Sequence, residues 1–244
     1  MDDKIKELIN IIKESNSICF FGGAGVSVES NIPDFRSAGG LYNDKDYCKY
    51  PPEEILSHSF FLKHTDIFYS FYKEKMVYRN ALPNDCHKAL AKLEEMGKLK
   101  AIVTQNIDNL HTLAGSKVVY ELHGTIMKNH CMDCYKEYDL DYVMASNGIP
   151  RCSCGGIVKP DVVLYEESLD YDVLNKSLNA ISTCDTLIIG GTSLAVYPAS
   201  SLINYFRGRK LVIINKSTTQ YDRIANLLIN DAIGKVFREV MENL

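Results

Sequence analysis

The sequence lacks the features that mark several large classes of protein. Its 244 residues carry a net charge of −4, so it has no basic surplus of the kind that nucleic-acid-binding proteins usually show. No apolar stretch approaches the ~20 residues that a membrane-spanning helix needs. Residues 1–12 predict an amphipathic helix and have neither the basic start nor the apolar run of a signal peptide. We therefore expect neither a nucleic-acid partner nor a membrane.

The cysteines are too unevenly placed for a secreted disulfide framework. Of the eight cysteines, four cluster between Cys131 and Cys154 and four are scattered singly. Disulfide-rich secreted domains are shorter and denser in cysteine. We therefore expect a cytoplasmic protein whose thiols are reduced.

Short apolar runs alternate with helical patterns along most of the chain. The runs lie at residues 17–21, 101–104, 118–122, 162–164, 186–189 and 211–214. Helical patterns lie at residues 86–96, 172–182, 199–207 and 221–229. This alternation predicts an α/β fold with a doubly wound, Rossmann-like parallel sheet that helices cover on both faces.

Two stretches interrupt the alternation. Residues 41–82 are aromatic-rich and helical, and residues 129–157 contain the cysteine cluster and little helical signal. We expect this helical insertion and this cysteine module to form a smaller lobe, with residues 1–40, 83–128 and 158–244 forming the Rossmann-like domain. Ligands of open α/β sheets bind at the carboxyl ends of the strands, so a lobe beside that edge would create a cleft.

A glycine-rich turn, Gly22-Gly23-Ala24-Gly25-Val26-Ser27, directly follows the first predicted strand. Glycines in such a turn let the backbone approach a diphosphate, whose charge is met by amide groups and a helix N-terminus. The third glycine of the usual dinucleotide fingerprint is missing. From the glycines alone, a tight turn without a ligand fits equally well.

Longer motifs resemble the signature segments of the sirtuin family. They are GAGVSVESNIPDFR at residues 23–36, TQNIDNLH at 104–111, ELHG at 121–124, KPDVV at 159–163, GTSLAVYP at 191–198 and INK at 214–216. The motifs occur in the family's order and span nearly the whole chain. The resemblance implies an NAD-dependent protein-lysine deacetylase, of the transferase and hydrolase class, whose partners are acylated-lysine proteins or peptides.

His123 is the candidate catalytic base. It follows the predicted strand at 118–122, and histidine is the natural general base near neutral pH. A lone histidine is more often structural, but the resemblance assigns His123 this role, with Asn106 as a second catalytic residue. In sirtuin-like chemistry the substrate's acyl oxygen attacks the ribose carbon that bears nicotinamide. His123 then deprotonates a ribose hydroxyl, which attacks the resulting imidate, and the products are nicotinamide, free lysine and acyl-ADP-ribose.

The segment after the strand at 101–104 is the candidate binding site for the nicotinamide end of NAD. The resemblance implies that Gln105 and Asn106 orient the nicotinamide ribose, and that the backbone of Ile107 and the carboxylate of Asp108 hold the nicotinamide amide. Taken alone, these residues would fit a capped turn that leads into a helix better than a ligand site.

The remaining cofactor contacts come from both ends of the chain. Phe35 would screen the ribose from water, and Arg36 would meet phosphate oxygens. Asn215 is placed to bind the adenosine ribose. The full set that the resemblance implies for NAD is Gly23, Ala24, Gly25, Val28, Asp34, Phe35, Arg36, Gln105, Asn106, Ile107, Asp108, His123, Gly191, Thr192, Ser193, Asn215, Lys216, Asp231 and Ala232.

The chain departs from the family pattern at three places. Asn31 stands where glycine is usual, and asparagine tolerates a left-handed backbone. Val28 replaces a common threonine, which suggests a backbone contact. Tyr165-Glu166-Glu167 replaces Phe-Gly-Glu in the loop that is expected to pair with the substrate peptide. The expected peptide contacts are Val162, Val163, Leu164, Tyr165, Leu194 and Tyr197.

The acyl group is predicted from the helical insertion. Sirtuins that remove succinyl or malonyl groups resemble one another in a Tyr-x-x-Arg element that binds the acyl carboxylate. Here Tyr69 aligns with the tyrosine, but Tyr72 aligns with the arginine. Lys73 and Lys75 should point elsewhere, because a helix turns by about 100° per residue. We expect preference for acetyl and other neutral acyl groups.

The cysteine cluster predicts a structural zinc site. Cys131-x-x-Cys134 is followed, after seventeen residues, by Cys152-x-Cys154. Four thiolates in two close pairs fill a tetrahedral Zn²⁺ site and leave no open position. Two disulfides, or redox use of the first pair, are the alternatives. The second pair is one residue shorter than the family's common Cys-x-x-Cys.

Other functions remain open at this point. Mono-ADP-ribosyl transfer on the same NAD site is the main alternative. Hydride transfer is disfavoured by the incomplete fingerprint, and a zinc-ribbon adaptor would not need polar residues at strand ends. NAD consumption separates these possibilities. We expect a monomer.

Overall fold

The computed structural model describes residues 2–35, 40 and 50–244, in which strands and helices alternate. The helices are α1 (Asp3–Glu14), α2 (Pro52–Ile55), α3 (His58–Lys63), α4 (Thr65–Phe71), α5 (Asp85–Glu95), α6 (Leu110–Leu113), α7 (Leu140–Ala145), α8 (Tyr171–Thr183) and α9 (Ile233–Asn243). The strands are β1 (Ile18–Gly22), β2 (Leu99–Thr104), β3 (Val119–Glu121), β4 (Gly124–Cys131), β5 (Glu137–Asp139), β6 (Val158–Val162), β7 (Thr186–Gly190), β8 (Lys210–Ile214) and β9 (Leu227–Ile229).

A parallel sheet holds six strands of the described residues in the order β3-β2-β1-β7-β8-β9. β1 lies in the interior of the sheet and pairs with β2 on one side and β7 on the other. The chain moves outward from β1 through β2 to β3 and then restarts on the opposite side at β7. The strand order therefore reverses between β1 and β7, and ligand crevices open at such a point.

Apolar side chains cover both faces of this sheet. Successive residues of a strand point to opposite faces, and in β1 Phe20 packs in a cluster with α1, α5 and α9, while Phe21 packs in a cluster with α8. A strand that is buried on both faces has a continuous apolar run, which is why β1 is recognisable in the sequence. The predicted doubly wound, Rossmann-like sheet is confirmed.

The edge strand β9 corrects a prediction. Residues 221–229 were expected to be helical, but they form a 3-10 turn, Asp222–Ile224, followed by β9. Val212 pairs with Leu227 and Ile214 pairs with Ile229, so the run extends the parallel sheet beyond β8. The helix prediction is wrong because pairing with a neighbouring strand overrides the local pattern. The predicted helix at residues 199–207 is a 3-10 helix, Ala199–Tyr205.

A small antiparallel sheet, ordered β5-β4-β6, corrects a second prediction. The apolar run at 162–164 was expected to be a strand of the parallel sheet. The strand there is β6, which pairs with β4 so that Gly124 faces Val162 and Cys131 faces Val158. The prediction was wrong because an apolar run does not reveal the strand with which it pairs.

The aromatic helices and the cysteine segment share one apolar cluster. Phe61 and Phe68 of α3 and α4 pack with Ile126 and Val158 of the small sheet. We call this apolar group the aromatic cluster, and its buried members are Ile55, Leu56, Phe60, Phe61, Phe68, Tyr69, Phe71, Tyr72, Val77, Ile126, Cys131, Leu140, Val143, Cys152, Val158, Val162 and Leu164. The predicted fold class, a Rossmann-like sheet with a smaller helical and cysteine-bearing unit, is confirmed, while the domain boundaries stay a prediction. Within the described residues, no helix has the length and apolar character that crossing a bilayer requires.

Candidate active site

Two turns touch at the point where the strand order reverses. The turn after β1 donates from the Gly23 N–H to the Gly190 carbonyl (3.2 Å) and from the Gly25 N–H to the Gly191 carbonyl (2.7 Å). A Cβ on Gly25 would lie 2.8 Å from the Gly191 Cα, so no side chain fits there. These glycines therefore allow close contact between the carboxyl ends of β1 and β7. Ala24, between them, is half-buried.

The segment that follows this turn leads toward the aromatic cluster. Asn31 has φ 63° and ψ 27°, which confirms the expected left-handed backbone. Val28 is exposed. Asp34 and Phe35 are half-buried, and Phe35 packs against the aromatic cluster. Arg36 lies outside the described residues.

A chain of hydrogen bonds links the turn after β1 to the segment after β2. The Asn106 Nδ2 donates to Ser27 Oγ (3.1 Å), and Ser27 Oγ donates to Asp108 Oδ2 (2.6 Å). The Leu110 N–H donates to the other oxygen of Asp108 (2.9 Å). Burial raises the pKa of Asp108, and the bonds from Ser27 and Leu110 oppose this rise. A carboxylate with two fixed donors thus lies just beyond the carboxyl end of β2.

Gln105 connects the ends of β1, β2 and β7. Its N–H donates to the Gly22 carbonyl (3.0 Å), and its Nε2 donates to Thr192 Oγ1 (3.2 Å). Thr192 is buried and its Oγ1 also accepts from the Leu194 N–H (3.1 Å). The neighbouring Ile107 accepts a backbone hydrogen bond from the Ile126 N–H (3.1 Å). The polar residues of three strand ends are thereby brought together.

His123 lies between β3 and β4 at the same edge. Its Nδ1 is 2.9 Å from the Gln105 carbonyl oxygen, and its own carbonyl accepts from the Val163 N–H (2.9 Å). Gly124 follows with φ 73°, and a Cβ there would lie 1.8 Å from the Asp161 carbonyl oxygen, so only glycine fits. Burial lowers the pKa of His123, and the bond to Gln105 opposes this. The Gln105 carbonyl therefore holds the imidazole, and the Val163 N–H holds the backbone of the same residue.

Two residues of this edge had been quoted in motifs without a chemical role. Ser27 bridges Asn106 and Asp108, as described above. Glu121, the last residue of β3, has its pKa raised to about 7 by burial and by the charge of Asp108, against opposing effects of Lys128 and Thr125. The residue types are visible in the sequence, but these partners are remote in the chain. No local signal could have identified them.

The segment predicted to bind the peptide borders His123 on one side and the helical insertion on the other. Val162 and Leu164 are buried in the aromatic cluster. The Tyr165 N–H donates to the Leu56 carbonyl (3.0 Å), and its carbonyl accepts from the His58 N–H (2.9 Å). Leu194 is buried, whereas Tyr197 is exposed. Residues 162–165 thus lie between His123 and the helical insertion. The other two predicted contacts, Leu194 and Tyr197, lie beyond β7.

Charged side chains fasten this segment to α3 and β6. Glu166, at φ 76°, stands at the usual glycine position and accepts from the N–H (2.8 Å) and the hydroxyl (3.0 Å) of Ser59. Glu167 pairs with Lys159 (3.1 Å) and with His58 Nδ1 (2.7 Å). These bonds offset the strain of a left-handed non-glycine residue.

The residues predicted to meet the adenosine half of NAD lie beyond β7, β8 and β9. Ser193 and Lys216 are exposed. The Asn215 side chain donates to a carbonyl two residues further on (2.7 Å). Asp231 accepts from the Ala232 N–H (2.7 Å) directly before α9. These residues all follow the carboxyl ends of parallel strands, so they lie at the same edge of the sheet as the residues after β2.

The four clustered cysteines converge in the small lobe. Their Sγ atoms all lie within 4.8 Å of one another. The Sγ–Sγ distance is 3.5 Å between Cys131 and Cys154 and also between Cys134 and Cys152. A disulfide bond is far shorter, at ~2.05 Å. Tetrahedral Zn–S bonds of ~2.3 Å would place sulfur atoms about 3.8 Å apart. The arrangement therefore fits a zinc site.

The aromatic residues of α4 and its π-helical continuation, Tyr72–Met76, form the wall of the small lobe. Tyr69 and Tyr72 are each 1% exposed, and the Tyr69 hydroxyl donates to the Val158 carbonyl. Lys73 donates to two backbone carbonyls near α7 (2.6 and 3.0 Å), and Lys75 pairs with Glu74 (3.5 Å). The Lys73 Nζ also lies 6.0 Å from the centroid of the Tyr69 ring, so this lysine borders the wall, contrary to the expectation from the helical spacing.

Comparison with known proteins agrees with this arrangement. A family model described as "Sir2 family" matches residues 23–198. The NAD-dependent protein deacetylase of Clostridium perfringens is 62% identical over 99% of this chain and 100% of its own length. The protein of the same name from Clostridium acetobutylicum is 64% identical over 98% of both chains.

Solved structures are similar over the same extent. One, described as "Structural Basis for the Mechanism and Regulation of Sir2 Enzymes", has a TM-score of 0.89 and 39% identity, covering 99% of this chain and 98% of its own. Another, "Sir2-p53 peptide-NAD+", has a TM-score of 0.86 and 38% identity with the same coverage. A third, "Structure of Sir2Tm bound to a propionylated peptide", has a TM-score of 0.87 and 37% identity, covering 98% of both chains.

Proposed function

This chain belongs to the Sir2 family, and from that premise we propose that it is an NAD-dependent protein deacetylase. It takes acetylated lysine side chains of proteins or peptides and yields nicotinamide, free lysine and acyl-ADP-ribose. The names of the clostridial relatives support this activity, as do the solved Sir2 complexes with NAD+ and with peptides. A cytoplasmic location and a monomeric state stay predictions.

The orientation of His123 is the observation that carries the proposal. A backbone carbonyl can only accept, so the contact between Nδ1 and Gln105 places the proton on Nδ1 and leaves Nε2 basic. Because burial lowers its pKa, the ring is neutral at pH 7. A neutral imidazole in a fixed tautomer is suited to accept a proton from a ribose hydroxyl, which is the role that we propose.

The nicotinamide half of NAD is proposed to lie against Gln105, Asn106, Ile107 and Asp108. When bound, NAD supplies the ribose carbon that is attacked and the nicotinamide that leaves. Asp108 would accept from the nicotinamide amide, and its two internal donors orient it for that contact and favour its ionised form against the effect of burial. Asn106, held through Ser27, would orient the ribose.

The diphosphate and adenosine of NAD are proposed to extend from the turn after β1 toward β8. That path follows the crevice where the strand order reverses, the usual ligand site of such sheets. Thr192 and Ser193 would donate to phosphate or ribose oxygens, and Asn215 would bind the adenosine ribose. The acyl-lysine peptide would lie along residues 163–165, next to His123.

The four cysteines are proposed to hold one structural Zn²⁺. Their sulfur separations fit tetrahedral coordination, as described above. Four thiolates leave no position open for water, so the ion would take no part in deacetylation. It would instead tie the turn after β4 to the segment before β6.

One assay tests both the activity and the base. The purified chain is incubated with NAD and an acetyl-lysine peptide, and nicotinamide and deacetylated peptide are quantified. His123→Ala should lower turnover by about 10²–10⁴-fold while the protein stays folded and binds NAD. The matched control is His64→Ala, because His64 lies in the helical insertion, where its ring packs at a tilt against Phe60.

Two results would contradict the proposal. Near wild-type turnover of the His123→Ala variant would exclude His123 as the base. Consumption of NAD with ADP-ribose attached to protein, and without loss of the acetyl group, would instead indicate mono-ADP-ribosyl transfer.

A further inference from the structure

Helix α9 begins without a capping side chain of its own. Its N-cap residue is Ala232, which offers no side-chain acceptor to the first turn of the helix. The first N–H groups of an α-helix have no partner within the helix, and a side-chain oxygen commonly accepts from one of them. Ala232 is also one of the residues predicted to contact adenosine. The start of α9 therefore needs an acceptor from another part of the chain.

Glu29 supplies this acceptor from the turn after β1. It lies in a 3-10 turn, Val28–Ser30, and its Oε2 accepts from the Gly234 N–H at 2.6 Å. The two residues are 205 positions apart in the chain. A carboxylate at the N-terminus of a helix is also favoured by the helix dipole. Glu29 thus caps a helix that is formed by the opposite end of the chain.

This contact depends on the glycine at position 234. A Cβ on Gly234 would lie 2.7 Å from Glu29 Oε2 and 2.8 Å from the carboxyl carbon of Glu29, which is closer than van der Waals contact allows. A larger residue at this position would therefore displace the carboxylate, which is the far end of a flexible side chain. Glycine within a helix lowers stability, because its backbone loses more freedom on folding than that of other residues. The close approach of Glu29 explains why glycine stands here.

The turn that carries Glu29 also binds the nicotinamide end of the proposed site. Ser27, two residues before Glu29, bonds to Asn106 and Asp108. On the other side of the contact, the predicted adenosine contacts at positions 231 and 232 directly precede α9. Glu29 therefore bridges two segments that are proposed to bind opposite ends of one NAD molecule. A fixed separation between them reduces the ordering that NAD binding would otherwise have to bring about.

We propose that Glu29 is a positioning residue for NAD, which holds the segment before α9 at the place that the adenosine end requires. It acts through the Gly234 N–H and does not itself touch the cofactor. The inference rests on the proposed deacetylase function and assigns to Glu29 a role in NAD affinity. The contact holds neither the acyl-lysine peptide nor His123, so peptide affinity and proton transfer should not depend on it.

The test separates NAD affinity from the other steps. kcat, the KM for NAD and the KM for an acetylated peptide are measured for the wild type and Glu29→Ala, and the Kd for ADP-ribose is measured by calorimetry. In Glu29→Ala the KM for NAD and the Kd for ADP-ribose should both rise by about threefold to tenfold, as for the loss of a helix cap. kcat and the KM for the peptide should stay within twofold of wild type. Glu29→Gln keeps an oxygen that can accept from Gly234, so its KM for NAD should lie closer to wild type.

Gly234→Ala breaks the same contact from the other side. The added methyl group displaces the Glu29 carboxylate, while alanine favours a helix more than glycine does. The KM for NAD should therefore rise as in Glu29→Ala, although the thermal unfolding temperature stays above that of Glu29→Ala. Because both changes remove one contact, the double variant should have the KM for NAD of Glu29→Ala alone. A merely structural effect would instead follow the unfolding temperature.

The matched control is Asp170→Ala, which removes the cap of another helix. Asp170 Oδ1 accepts from the Val173 N–H at 2.8 Å at the start of α8, and α8 packs on the opposite face of the sheet from α9. The KM for NAD should stay within twofold of wild type in this variant. A Glu29→Ala value within twofold of wild type, an equal rise in Asp170→Ala, or additive effects of Glu29→Ala and Gly234→Ala would overturn the inference.

Failure of the proposed function gives a different result. In that case the wild type would consume no NAD with an acetylated peptide. The ADP-ribose affinities would then still test Glu29, because binding does not depend on turnover. A wild type that does not bind ADP-ribose would overturn the inference together with the proposed NAD site.

Discussion

Removal of the Ser27 hydroxyl should damage the nicotinamide end of the proposed site selectively. Ser27 is 1% exposed, donates to Asp108 at 2.6 Å and accepts from Asn106 at 3.1 Å. Ser27→Ala removes both bonds without adding volume. Asp108 then keeps the Leu110 N–H as a donor but loses the shorter of its two hydrogen bonds.

The magnitude follows from the charge of Asp108. A hydrogen bond to a charged group contributes about 1.5–3 kcal/mol, which corresponds to roughly tenfold to 150-fold in a rate or equilibrium constant. Burial already raises the pKa of Asp108, and the bond from Ser27 opposes this rise. Without that bond the pKa rises further, and less of the ionised carboxylate is present to accept from nicotinamide. We expect a loss of about tenfold to a hundredfold in steps that involve nicotinamide.

The assay is the exchange of labelled nicotinamide into NAD in the presence of acetylated peptide, together with inhibition of deacetylation by nicotinamide. The matched control is Ser30→Ala. Ser30 is also buried, at 5% exposure, but its hydroxyl accepts from Asn84 Nδ2 at 3.0 Å. The control should stay within threefold of wild type. Exchange by Ser27→Ala within twofold of wild type, or an equal loss in Ser30→Ala, would refute the reasoning.

Three further outcomes are expected. kcat/KM should fall on the acid side only at a pH below the ordinary histidine pKa of about 6.5, because His123 must be neutral and burial lowers its pKa. Glu121, with a pKa of about 7, becomes charged as the pH rises through that value, so an acid limb above pH 7 that persists in Glu121→Gln would contradict the assignment of the base. Metal analysis should find about one zinc per chain, and chelation should lower the thermal unfolding temperature; absence of zinc together with disulfides would disprove the site formed by Cys131, Cys134, Cys152 and Cys154. An acetylated peptide should be turned over faster than its succinylated form, since Tyr72 stands where a cation would be needed, and the reverse order would show that another cation reaches the acyl group.

Part of the architecture could be predicted because it depends on local composition. β1 is a continuous apolar run before glycines, and burial on both faces of a parallel sheet requires such a run. Asn31 was expected to adopt a left-handed backbone from its residue type, and it does so at φ 63°. The spacing of the cysteines likewise predicted that four sulfur atoms would converge.

Other features depended on which segments meet in space. β9 was mistaken for helix, because its strand conformation comes from pairing with β8 at the edge of the sheet. β6 was assigned to the parallel sheet, because its apolar run is compatible with either sheet and only the pairing with β4 decides. In both cases the local pattern could not reveal the pairing, because the partner strand lay elsewhere in the chain.

The sequence by itself determined the chemistry that is available at the site. It contains a histidine directly after a predicted strand, a run of amides and a carboxylate after β2, and a cluster of four of its eight cysteines, with the motifs in the order of the sirtuin family. Residue identity sets which groups can accept protons or bind metal, so these features are legible without coordinates.

The tertiary structure decided how these groups are coupled. It placed the Ser27 hydroxyl between Asn106 and Asp108, set the tautomer of His123 through the Gln105 carbonyl, and left the Tyr72 hydroxyl without a partner among the described residues. Hydrogen bonds and pKa shifts depend on distances of a few ångströms between residues that are far apart in the chain. Such distances exist only once the strands are ordered and the small lobe is packed against them.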